Sequence, residues 1–177
     1  MKKTLLGLFL VLGMASFANN KIELKGAYDL GGEYRFEKSS VKGKANAMEV
    51  GAEYRYEVTP GMELGAGVAY QAHKDIKNYK AEAYDSVPVY ATAKYTFDTA
   101  APVKPYLKGD LGYSINNNDA KDGVYYGVGA GLNINNNFNV DVMYKENKGK
   151  YEIGTKDYKA DYGRVALGVG YNFNLGQ

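Results

Sequence analysis

Residues 22–36 read Ile-Glu-Leu-Lys-Gly-Ala-Tyr-Asp-Leu-Gly-Gly-Glu-Tyr-Arg-Phe, and their alternation decides the fold. Even positions supply Ile22, Leu24, Tyr28, Leu30, Tyr34 and Phe36, while odd positions supply Glu23, Lys25, Asp29, Glu33 and Arg35. Successive side chains of an extended strand point to opposite faces. A period of two held this long therefore predicts one strand with an apolar face and a charged face.

The pattern recurs, with further strands expected near 46–58, 62–73, 87–98, 105–115, 124–134, 138–145 and 161–174. Short connections fall at Thr59-Pro60-Gly61, at 98–104 and at Asn135-Asn136-Asn137, and longer polar ones at 37–45, 74–86, 116–123 and 146–160. No segment competes with a period of 3.6. An even number of strands, most long enough to cross a bilayer when tilted, with alternately short and long connections, predicts an all-β fold. The expected architecture is an eight-stranded antiparallel transmembrane β-barrel, an up-and-down meander. A soluble sandwich accounts for the alternation but not for the placement of aromatic residues. At the short-turn ends the apolar face carries Tyr54, Tyr56, Tyr95, Phe97, Phe138, Tyr171 and Phe173, and at the other ends Tyr34, Phe36, Tyr70, Tyr113, Tyr126 and Tyr144. Two girdles around an aliphatic band fit the two interfaces of a membrane.

The N-terminus fits that destination. Lys2 and Lys3 precede an apolar run from Leu5 to Leu12, and Ser16-Phe17-Ala18 offers small residues where a signal peptidase reads them. The expectation is a signal peptide over 1–18, cleaved after Ala18, and a single barrel domain over 19–177 exported to the cell outer membrane. Losing Lys2 and Lys3 brings the formal charge from +2 to zero, which argues against nucleic acid as a partner. Absence of cysteine rules out disulfides, thiolate chemistry and a lipidated cysteine.

Three passages carry a family resemblance. Pro105-Tyr106-Leu107-Lys108-Gly109-Asp110-Leu111-Gly112-Tyr113 resembles the fifth strand of the small OmpA/OmpX/opacity-type barrels. The run Gly131-Leu132-Asn133-Ile134-Asn135-Asn136-Asn137-Phe138-Asn139-Val140 is similar to their sixth strand, turn and seventh strand. Gly168-Val169-Gly170-Tyr171-Asn172-Phe173 resembles the C-terminal signal read by the barrel-assembly machinery, although Asn174-Leu175-Gly176-Gln177 follow its last aromatic residue. The sequence leaves no room for the periplasmic peptidoglycan-binding domain that full-length OmpA-type proteins carry, so the barrel alone is expected. Its expected partners are outer-membrane lipids, lipopolysaccharide, the assembly machinery and, through the outer loops, a host or envelope protein.

Dense chemistry is confined to the inward face. The residues expected there as a structural ion-pair network are Asp29, Arg35, Glu49, Glu53, Arg55, Lys94, Lys108, Asp110, Asp141 and Arg164. A barrel of eight strands is just wide enough to be filled by side chains, and an unpaired buried charge is costly, so these groups should pair. With the first hairpin turning near 41–43, Asp29 is expected beside Arg55 and Arg35 beside Glu49. On the fifth and sixth strands Asp110 is expected opposite Gly129, and Lys108 opposite Gly131. Glu49, Glu53 and Glu57 have the spacing of a catalytic carboxylate pair, but the surrounding cations favour ion pairing. Gly127-Val128-Gly129-Ala130-Gly131 precedes no helix, so it reads as room for bulky neighbours and not as a phosphate loop. His73 is the one histidine; with Ser114 or the loop residues Ser39, Ser40 and Ser86 it would be needed for a lipid A acyltransferase-like chemistry. No catalytic residue, cofactor or metal is assigned. The function expected is envelope integrity or surface adhesion, with a narrow low-conductance channel and a lipid-modifying enzyme as the alternatives.

Overall fold

A computed structural model describes residues 20–36, 39–45, 47–73, 85–116, 120–153 and 156–175. The expected signal segment 1–18 and most of the 74–86 connection lie outside the described residues. All regular elements among these are strands: β1 (Asn20–Phe36), β2 (Ser39–Ala45), β3 (Ala47–Thr59), β4 (Met62–His73), β5 (Ser86–Thr96), β6 (Val103–Asn116), β7 (Ala120–Lys121), β8 (Gly123–Ile134), β9 (Phe138–Asn147), β10 (Lys150–Ile153) and β11 (Lys156–Asn174). Eight of them, β1, β3, β4, β5, β6, β8, β9 and β11, are staves paired antiparallel in that order, and β1 pairs with β11 to close the barrel.

The short turns follow from their residues. At Thr59-Pro60-Gly61-Met62 the proline presets its own φ, and Gly61 takes the positive φ of 82° that a type II turn demands. Asn135 and Asn136 both have positive φ, 51° and 62°, and the Asn137 N–H donates to the Ile134 carbonyl at 3.2 Å. That is the signature of a type I′ hairpin, whose twist matches the flanking strands.

The long-loop end departs from expectation. Segments read as loops contain β2, β7 and β10, which extend the wall by pairing with β1, β10 and β11. Beyond the membrane both faces of a strand are wet, so no apolar alternation is required to mark it. Residues 41–43, where the first turn was expected, lie within β2, which pairs with β1 from Gly32 opposite Ala45 to Phe36 opposite Ser39.

That displacement corrects the expected register. Asp29 does not lie beside Arg55, nor Arg35 beside Glu49; the ladder places Arg55 opposite Lys21 and Glu49 opposite Ala27. A bulge adds a second correction. Asp29 opposes Ala166, yet Gly31 opposes Val165, leaving Leu30 as an extra residue. One extra residue reverses the inward and outward parity. Gly32 is buried and Glu33 half-buried beyond it. Arg35 stands opposite Asp161 in the ladder, and its side chain lies outside those described. Between β6 and β8 the ladder sets Lys108 opposite Gly129 and Asp110 opposite Gly127, two residues away from the expected pairing with its parity intact.

Candidate functional site: a charged lumen and an aromatic-edged exterior

The barrel is inside out relative to a water-soluble domain. Its largest fully buried side chains begin with Arg55 and Arg164, while Val50, Leu111, Val128 and Val169 are each about 60% exposed or more on the outer face. An apolar belt of this extent needs an apolar medium around it. Tyr95, Phe97, Phe138, Tyr171 and Phe173 are exposed at the short-turn edge of the belt, with Tyr54 and Tyr56 half-buried beside them. Tyr95 and Phe97 meet edge-on at 5.0 Å, and Tyr171 meets both Phe138 and Phe173 at 4.9 Å. Tyr70, Tyr113 and Tyr144 are exposed toward the other edge. The side chains of Tyr34 and Phe36 lie outside those described.

Inside, neighbouring strands set like charge against like. Lys21 opposes Arg55, Glu23 opposes Glu53, Glu57 opposes Glu63, and Lys94 opposes Lys108. Such pairs are unfavourable on an ordinary sheet. Here they are offset diagonally and across the lumen. Arg55 donates from Nη1 to Glu23 and Glu53, from Nε to Glu63 at 2.8 Å, and from Nη2 to Asn172 at 2.8 Å. Glu53 also receives Lys108 from β6, Lys25 from β1 at 2.7 Å, and the Tyr90 hydroxyl from β5 at 2.8 Å. One carboxylate of β3 thereby gathers side chains from three other staves.

A second hub forms at Glu49, which holds Lys145 of β9 at 2.7 Å, Gln71 at 2.8 Å and Arg164 at 3.5 Å. Arg164 turns also to Asp29 at 3.4 Å and to Asn147 at 3.0 Å, and the Tyr162 hydroxyl donates to Asp29 at 2.8 Å. Above this, Asn147 donates to Gln71 and Ser86 at 2.9 Å and to Ser114 at 3.2 Å. Toward the short-turn end, Asn139 of β9 donates to Glu23 and Asn172 and accepts from Asn133 and Lys94. Asp110 takes the Thr92 hydroxyl at 2.7 Å and stands 3.9 Å from Lys108, while Asp141 takes the Tyr106 hydroxyl at 2.9 Å.

Small residues make this filling possible. A Cβ on Gly67 would stand 2.6 Å from the Tyr90 ring, and one on Gly131 would stand 2.5 Å from that of Tyr106. At Gly129 a Cβ would meet the backbone and side chain of Met143. The glycine-rich run of β8 therefore makes room, as its sequence suggests.

The structure brings together nine of the ten residues singled out for the lumen, and the side chain of the tenth, Arg35, lies outside those described. Gln71, Tyr90 and Asn139 have inward parity in the sequence but nothing that marks them as hubs, and Asn147 falls in the 146–160 stretch that reads as a loop. The Glu49, Glu53 and Glu57 series divides. The first two are wrapped in cations, and Glu57 accepts the Gly61 N–H at 3.0 Å. The side chains of His73, Ser39 and Ser40 lie outside those described. Ser86 and Ser114 both accept from Asn147 in the buried network.

Comparison with known proteins agrees with this geometry. The family model described as "Outer membrane protein beta-barrel domain" matches residues 5–173. An uncharacterized protein of Pasteurella multocida is 24% identical, in an alignment spanning 98% of each chain. Among solved structures, Neisserial surface protein A gives a TM-score of 0.55 at 22% identity, over 87% of this chain and 97% of that one. The outer membrane enzyme PagL gives 0.55 at 13% identity, over 84% and 97%, and OprG from Pseudomonas aeruginosa gives 0.52 at 16%, over 88% and 96%. At these identities the likeness is one of fold.

Proposed function

This chain belongs to the outer membrane β-barrel protein family, and on that premise we propose that it is a non-enzymatic envelope protein. Its lumen is a structural plug, and it acts through stability of the wall and through the long loops at one rim. The observation that carries this reading is the contact of Lys108 and Lys145 with Glu53 and Glu49, which spans the interior between staves that are not neighbours. Side chains committed to such bonds stiffen a barrel and occupy its bore. Solved structures of similar fold include an outer membrane enzyme, so the fold itself does not choose between roles.

In the orientation usual for such barrels the short turns lie in the periplasm and the long loops outside. The chain reaches that membrane, on this reading, by way of the signal segment 1–18 and the assembly machinery, and its outer rim meets lipopolysaccharide. Deleting the protein tests the functional reading. Lipid A should keep the same mass spectrum with and without it, while deletion should increase detergent sensitivity or lower attachment of the cells to surfaces. A lipid A species that disappears on deletion would replace this reading with the enzymatic one.

A further inference from the structure

Nearly every inward charge described has an opposite partner within 4.0 Å; Asp141, held by the Tyr106 hydroxyl, is one exception, and Lys94 and Glu57 are two more. These last two, one of each sign, line the same cavity of about 470 Å³ at the short-turn mouth. Lys94 is 2% exposed. Its ammonium donates to the Asn139 side-chain oxygen at 3.1 Å and lies 4.1 Å over the Tyr106 ring. An ammonium has three N–H donors, so that arrangement leaves donors unused. Glu63 is its cross-strand neighbour, but the bonds Glu63 makes are with Lys21 on one carboxylate oxygen and with Arg55 on the other. Glu57 flanks Glu63 from the opposite side and accepts the Gly61 N–H.

We propose that this mouth binds a small zwitterion, an amino acid or short peptide, whose carboxylate sits on Lys94 and whose ammonium sits on Glu57. In the ladder Glu57, Glu63 and Lys94 stand side by side on β3, β4 and β5. The outer two are thus two strand spacings apart, about 9–10 Å between backbones. A dipeptide, whose two Cα atoms are about 3.8 Å apart, is short enough to lie between groups on strands so spaced. The cavity volume is in the range used by small ligands, and Thr96, Asn133 and Asn136 line it with hydrogen-bonding groups. This site goes beyond the plug reading and survives or fails separately from it, since a closed bore can still carry a ligand in its mouth.

The test is titration of the refolded full-length protein in detergent micelles with alanyl-alanine, with acetate and with methylammonium, followed by amide chemical shifts. Alanyl-alanine should bind saturably and more tightly than either fragment, shifting residues around Gly61, Lys94 and Thr96. Lys94→Gln should weaken the dipeptide roughly 30-fold, as loss of a buried charge contact does. Glu57→Gln should weaken it about fivefold while leaving acetate binding unchanged. If Lys94→Gln does not fold, Glu57→Gln decides. No saturable binding to the unaltered protein, or acetate and dipeptide binding alike with no effect of Glu57→Gln, would overturn the proposal.

Discussion

Lys108 on β6 donates to Glu53 on β3 at 2.5 Å, although two staves, β4 and β5, separate them around the wall. The bond crosses the bore. Because Lys25 and Arg55 converge on the same carboxylate, Glu53 contacts three cations at once. Glu53→Gln keeps the shape and removes the charge, leaving those cations buried and short of a counter-ion. Breaking a buried ion pair from one side costs roughly 3–5 kcal/mol. Urea unfolding in detergent, followed by the electrophoretic shift of the folded form, should show a clearly lowered midpoint; an unchanged midpoint would mean that Glu53 is not a hub.

A steric prediction concerns the Tyr90 ring, which lies over Gly67. An added methyl would press on the ring and disturb the hydroxyl bond to Glu53. Gly67→Ala should therefore destabilise the folded protein by about 1–3 kcal/mol. Gly109→Ala is the comparison, since its Cβ would meet only the Gly127 carbonyl at 3.9 Å, and it should be nearly neutral. Equal effects of the two substitutions would remove the packing argument.

These residues show what the sequence made legible. Parity came through for Glu49, Glu53, Arg55, Lys94, Lys108 and Arg164, because a one-residue slip would send each charge to the lipid-facing side. Register did not. Alternation repeats every two residues, so the pairing of Lys108 with Gly129 or with Gly131 reads identically along the chain. Partner choice was also hidden, since Arg55 finds its acids diagonally and across the bore, not in a facing ion pair. The bulge at Leu30 had a signal in Gly31-Gly32, two adjacent glycines inside a strand pattern. Extension strands such as β2 carried no apolar period by which to be seen.

Orientation is open to protease. Cells left intact should be cut within the connections 37–45, 74–86, 116–123 or 146–160, and spared at Pro60-Gly61 and Asn135-Asn136. Cleavage confined to those two turns would place the short turns outside.

Assembly should depend on Phe173, which is exposed at the short-turn edge and meets Tyr171 edge-on. Phe173→Glu puts a charge where the ring meets the interface and alters the C-terminal pattern. The heat-modifiable folded form in outer-membrane fractions should fall markedly while Gly109→Ala stays at the normal level. Unaltered amounts of folded Phe173→Glu protein would separate that residue from assembly.

The claim that the lumen is a plug is tested most directly by electrical recording from the purified protein in a planar lipid bilayer. With Glu53 holding Lys108 and Glu49 holding Lys145 across the bore, the unaltered barrel should give no sustained conductance steps above the bare membrane. Double replacement of Glu49 and Glu53 by alanine should introduce such steps in whatever fraction still folds. Stable, frequent steps from the unaltered protein would contradict the plug and establish a channel.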